Sequence, residues 1–185
     1  MAVPPIFVAG QVLTAAQMNK VGLWLVTSAT FTGVSAVNVN NCFTSDYENY
    51  RLILKVDASS ASQVVNLRFR ASGTDSSASY YFTGTTGNLA ADTTGYFPRS
   101  NNASSAIVAF QFQTGQRYLD LNIYGPQLTR ATFMSGTYID SNGFTSYAVG
   151  GGHNVATAYD GFSLLAGGGA PQTIGGRYYV YGMRE

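Results

Sequence analysis

The stretch "YRLILKV", residues 50–56, places Tyr50, Leu52, Leu54 and Val56 on one side of an extended chain. Arg51 and Lys55, then Asp57, fall on the other side. An apolar period of two is the pattern of an antiparallel strand with one buried and one wet face. The same period returns in "VNLRFRA" (65–71), with Val65, Leu67, Phe69 and Ala71 inside and Asn66, Arg68 and Arg70 outside. "AIVAFQFQ" turns Val108, Phe110 and Phe112 to one side, and "YLDLNIYG" sets Leu119, Leu121 and Ile123 against Asp120 and Asn122. Shorter patterns predict strands near 23–27, 34–43, 80–83, 131–139, 144–149, 162–166 and 177–183.

Turn-forming stretches separate these runs: "SGTDSSAS" (72–79), "TGTTGNLAADTTG" (83–95), "DSNG" (140–143) and Gly-rich pieces around 150 and 167. Asn142-Gly143 has the composition of a two-residue hairpin turn. Eight to ten short strands in one domain predict an all-β fold, an antiparallel jelly-roll-like sandwich.

The front of the chain reads differently. Thr14 and Gln17 fit a capping box, flanked by Leu13 and Met18 in hydrophobic-staple positions, with Gly22 as the stop. About two turns of helix do not stand alone in water, so this piece must dock, through Leu13, Met18 and Val21. The expected organisation is therefore a short arm and helix over residues 1–25, then a sandwich over 26–185. Trp24, the only tryptophan, falls at their junction.

Composition narrows the function. With 185 residues the chain is long enough to bury a core without staples. Charged residues make up 10% of it, against about 25% in ordinary soluble domains. Lysine occurs only at Lys20 and Lys55, and the formal net charge is +1. A nucleic-acid partner is not expected, because no basic cluster exists to track phosphates. No apolar run reaches the ~18 residues of a membrane span, so membrane insertion is not expected either. The opening ten residues lack a cationic start, and paired prolines interrupt them, so export is not expected.

Chemistry is sparse. Cys42 has no second cysteine to bridge, and it reads as a small buried hydrophobe within a strand. His153, the only histidine, lies in "VGGGHNVA" and reads as a loop residue, since a metal ligand or general base needs partners. The nine acidic residues are scattered. A carboxylate pair such as Asp120 with Asp140 or Asp160 has no support from spacing. "YIDSNGF" is too short for a calcium loop. The expectation is no enzyme, no metal and no cofactor.

Aromatics remain. Thirteen Tyr and eleven Phe exceed what the predicted strands need. Tyr80 and Tyr81 in "YYF", with Tyr96 and Phe97 in "GYFP", flank a polar stretch as candidate contacts for a host-surface glycan or receptor.

Three segments carry a resemblance. "FVAGQVLTAAQMN" (7–19) resembles a leader of tailed-bacteriophage virion proteins of the tail-fibre, minor-tail and head-decoration types. "NCFTSDYENYRLIL" (41–54) and "DGFSLLAGGGAPQTIGGRYYVYGMRE" (160–185) are similar to β-sandwich domains of the same group. The resemblance implies virion attachment through Leu13, Thr14, Ala15, Ala16, Gln17, Met18 and Asn19. It implies framework roles for Asp160, Gly161, Phe162, Tyr179, Tyr181 and Gly182. It further implies a homotrimer in the virion, assembled in the host cytoplasm and joined to capsid or tail proteins. The chain lacks the repetitive shaft of a long fibre, so a short fibre or knob is the expected form.

Overall fold

The computed structural model describes residues 22–88, 93–111, 116–141, 145–167 and 172–183, together with Gly10 and Val12. Thirteen strands fill the described residues, and no helix occurs among them. The capped helix expected over 14–21 and the turn at Asn142-Gly143 lie outside the described residues.

The strands form two antiparallel sheets. β1 (Leu23–Val34), β13 (Ile174–Met183), β3 (Asn49–Ser59), β9 (Arg117–Tyr124), β10 (Thr132–Asp140), β11 (Thr145–His153), β6 (Tyr80–Asn88) and β7 (Thr93–Ala103) make the larger, in that order. β2 (Ala36–Val39), β12 (Gly161–Ala166), β4 (Gln63–Ala71) and the short β5 (Thr74–Asp75) make the smaller, and β8 (Ala106–Gln111) pairs with β4. The chain passes between the sheets from β1 to β2 to β3 to β4, from β5 to β6, from β7 to β8 to β9 and from β11 to β12 to β13. β6, β7, β10 and β11 widen the larger sheet beyond β9.

The inner faces hold the core that the period-two runs predict. Tyr50, Leu52, Leu54 and Val56 of β3 are buried, as are Val65, Leu67 and Phe69 of β4 and Leu119, Leu121 and Ile123 of β9. Phe162 of β12 meets Tyr178 of β13 edge-on at 6.2 Å, joining the two layers. Phe43 extends the cluster, with centroids 4.8 Å from Tyr50 and 6.0 Å from Phe162.

Several expectations are corrected. Cys42 is buried, but it lies between strands rather than within one; its N–H donates to the Asp160 carbonyl at 2.8 Å. Burial pushes its thiol up to about 12. The Gly- and Thr-rich stretch read as a breaker at 83–95 belongs largely to the β6 and β7 hairpin. Pro98 is tolerated there because β7 is an edge strand. The glycines at 150–152 lie within β11. A Cβ on Gly151 would stand 2.0 Å from the Tyr81 carbonyl, so close pairing with β6 requires glycine.

Arg70 keeps the outward side of β4 but is not wet there. It is nearly buried, donating to Asn40 Oδ1 at 2.9 Å, Asn38 Oδ1 at 3.1 Å and Ser163 Oγ at 2.8 Å, and pairing with Asp75. This network ties β2, β12, β4 and β5 together across the smaller sheet.

Candidate functional site

Two arrangements compete as the working part of the molecule: a buried polar cluster around His153 and the outer face of the larger sheet. His153 ends β11 and is completely buried, correcting its reading as a loop residue. Tyr80 lies flat on its ring, centroids 4.2 Å apart. Nδ1 of His153 is 3.2 Å from the Ser79 carbonyl, which it reaches as an N–H donor. Nε2 then accepts from the Tyr159 hydroxyl at 2.7 Å, with Ser76 Oγ at 2.9 Å. Desolvation lowers its pKa below the ordinary histidine value, which favours the neutral ring. A serine beside an imidazole is the start of a nucleophilic pair. Here the ring is sealed in aromatic packing and is oriented by a backbone carbonyl, so the cluster fastens strands together.

The carboxylates also separate. Asp120 points outward on β9 and is bound by Arg51, whose Nε donates to Oδ1 at 2.7 Å. Asp140 is buried on the inner face of β10 and pairs with Arg117 at 3.0 Å. These two acids therefore stand on opposite faces of one sheet. Asp160 precedes β12, and its Oδ2 accepts from the Ser72 N–H at 2.9 Å. Among the described residues no group of three His, Cys, Asp or Glu side chains is placed to hold a metal ion.

The outer face of the larger sheet is different. Apart from Val12, every large hydrophobic residue exposed among the described residues lies on it: Leu23 and Leu25 of β1, Tyr118 and Tyr124 of β9, Phe133 and Ile139 of β10, and Tyr81 of β6. Alternation explains the placement. Each neighbours an inward residue, as Tyr118 does Leu119 and Phe133 does Met134. Register then brings them together: Tyr124 opposes Phe133, and Tyr118 opposes Ile139. Tyr179 and Tyr181 continue the face on β13, their rings stacked at 6.5 Å.

Two of the cations on this face are neutralised locally, and a third is held by hydroxyls. Arg51 holds Asp120, and Lys55 Nζ sits 2.8 Å from Asp57 and 5.8 Å from the Tyr118 ring centroid. Arg177 donates to Thr30 Oγ1 at 3.1 Å and to the Tyr179 hydroxyl at 3.2 Å. At one end the face dips into a groove of about 700 Å³ lined by Tyr81, Tyr124, Phe133, Ser135 and Asn154 over Gly152.

The predicted contact residues divide accordingly. Tyr81 is 41% exposed on the groove's edge. Tyr80, its neighbour, is in the core and presents no ring to solvent; its hydroxyl accepts from the Phe69 N–H at 2.7 Å. Tyr96 and Phe97 lie in β7, opposite Thr85 and Gly84 of β6. Tyr124 and Phe133 were not singled out from sequence, although their places in alternating runs on neighbouring strands mark them as outward residues. Leu13, Thr14, Gln17, Met18, Asn19 and Val21 lie outside the described residues. Trp24 is the second residue of β1 and pairs with Gly182, and its indole N–H is enclosed without an acceptor among the described residues.

No protein-family model matches the chain, and no curated protein matches it. Among solved structures, galectin LEC-6 of Caenorhabditis elegans is similar at a TM-score of 0.37 and 12% identity, over 82% of this chain and 94% of that one.

Proposed function

We propose that this chain is a structural component of a bacteriophage virion, a short fibre or knob-like decoration that works by association and not by catalysis. Residues 1–22, ahead of β1 and not the expected 1–25, anchor it to capsid or tail proteins, and the remainder forms a jelly-roll head, homotrimeric in the particle. The observation that carries this reading is the concentration of the large hydrophobics exposed among the described residues on a single sheet face, where Arg51 pairs with Asp120 and Lys55 with Asp57. A face of that kind is built to be covered. The resemblance of residues 7–19, 41–54 and 160–185 to virion proteins supplies the setting.

The test is incorporation. Removing residues 1–22, which precede β1, leaves a folded sandwich that no longer joins particles. Normal incorporation of the shortened chain would remove the anchor from the account.

One observation favours a second reading, recognition of a host-surface glycan. Tyr81, Tyr124 and Phe133 line an open groove in which a sugar ring could stack. A glycan array probed with the full chain at high avidity tests it, and silence across the array would dismiss it.

A further inference from the structure

We infer that the outer face of the larger sheet, from Leu25 on β1 to Tyr81 on β6, is where one copy of this chain meets another. The inference rests on the proposed role as an associating virion component and names the surface that does the work.

Size is the first argument. The apolar residues span β1, β13, β3, β9, β10, β11 and β6, which are consecutive neighbours in the sheet. At about 4.8 Å between strands and roughly 3.4 Å per residue along them, the stretch of sheet that carries them, its polar residues included, covers on the order of 600 Å². A standard protein interface buries about 800 Å² on each partner. The face thus approaches a full interface, and it exceeds what one small ligand covers.

Charge is the second argument. Arg51 with Asp120 and Lys55 with Asp57 are neutralised within the chain. Arg177 on β13 donates to the Thr30 and Tyr179 hydroxyls and to no carboxylate among the described residues, so a second copy has this cation to avoid, whereas a strongly charged partner finds little else to pair with.

The third argument is contrast. On the smaller sheet the outer side carries the largely buried Arg70, Asp75, Asn38 and Ser163 network, and among the described residues none of the exposed large hydrophobics lies there. The groove at Tyr81 and Phe133 is continuous with the larger face. Its rim is chiefly apolar, and the Tyr124 hydroxyl is already bonded to Ser135 Oγ at 3.0 Å. Such a groove suits an apolar side chain of the second copy better than a sugar, which needs several free hydrogen-bond partners.

The test is sedimentation velocity on the full chain at micromolar concentration, beside the variants Phe133→Lys, Ile139→Asp and Ala36→Lys. Phe133 is 59% and Ile139 51% exposed, so far-UV circular dichroism should match wild type in both. Wild type and Ala36→Lys, altered on the smaller sheet, should sediment as one oligomer, and the other two as monomers. Hydroxyl-radical footprinting of the wild type should show Tyr118, Tyr124 and Phe133 protected relative to monomeric Ile139→Asp, which keeps all three rings. A monomeric wild type overturns the inference, as does an oligomer indifferent to both substitutions or one that leaves those three rings reactive. Glycan binding by a monomeric wild type would assign the groove to sugar instead. A monomer that still labels on virions separates failure of this interface from failure of the virion role.

Discussion

The ring of Tyr80 stacks on the ring of His153 with centroids 4.2 Å apart and planes inclined by 8°. The two residues oppose each other in the β6 and β11 ladder, so backbone register sets the stack. Phe69 reaches the same cluster from β4 of the smaller sheet, stacked 5.2 Å from Tyr159 and 5.9 Å from His153. The cluster pins the added strands to the sandwich and thereby supports the groove on their other side.

This stack predicts a pH response. The folded-state pKa of His153 is lowered, by burial, from an unfolded value of about 6.5. Below that value the unfolded chain binds the proton more readily, so stability is full above about pH 6.5 and declines as pH falls towards the folded pKa. Thermal unfolding at pH 7 and pH 5 should show a lower midpoint at pH 5. His153→Phe should flatten the response while costing about 1–3 kcal/mol at pH 7, because the Tyr159 and Ser76 hydroxyls lose their acceptor.

The Arg117 and Asp140 pair, 3.0 Å apart and buried on both sides, makes a second prediction. Removing one partner leaves an uncompensated charge in the interior, so Asp140→Ala should cost about 3–5 kcal/mol in urea unfolding. The double variant Arg117→Met with Asp140→Leu should recover much of that loss. Equal losses in single and double variants would mean that the pair acts through packing alone.

Gly136 in the middle of β10 makes a third. A Cβ there would stand 2.1 Å from the Asp120 carbonyl and 2.9 Å from the Leu121 Cα, both backbone atoms. Gly136→Ala must therefore push β9 and β10 apart, at about 1–3 kcal/mol as an overpacked site. Solubility should fall as well, because the displacement disturbs the alignment of Tyr118 with Ile139. Unchanged thermal stability would show that the ladder yields at no cost.

Much of the sandwich was legible in the sequence because a half-buried strand writes its two faces into alternating residues. "YRLILKV" and "YLDLNIYG" name their inward residues directly, and those residues are buried. β7 and the glycine-rich end of β11 were harder to read, because glycine and threonine carry little apolar signal. Their strand conformation comes from pairing with β6, which no local pattern encodes. Tyr80 and Tyr81 show the same limit within one dipeptide. Adjacent strand residues face opposite ways, and the face that becomes the core is decided by His153 and Tyr159, more than seventy positions away. Arg70 looked solvated for a similar reason, since Asn38, Asn40 and Ser163 surround it only after folding. The outward aromatic face was implicit in the alternating runs, but it emerges only when the registers of β9 and β10 are known.

Gold-labelled antibody against the purified chain, applied to intact virions and viewed by electron microscopy, tests the central claim most directly. The account predicts discrete labelling of the particle, over the capsid for a head decoration or at the tail for a short fibre. Absence of gold from every particle, with the protein recovered only in the soluble fraction of infected cells, would contradict it.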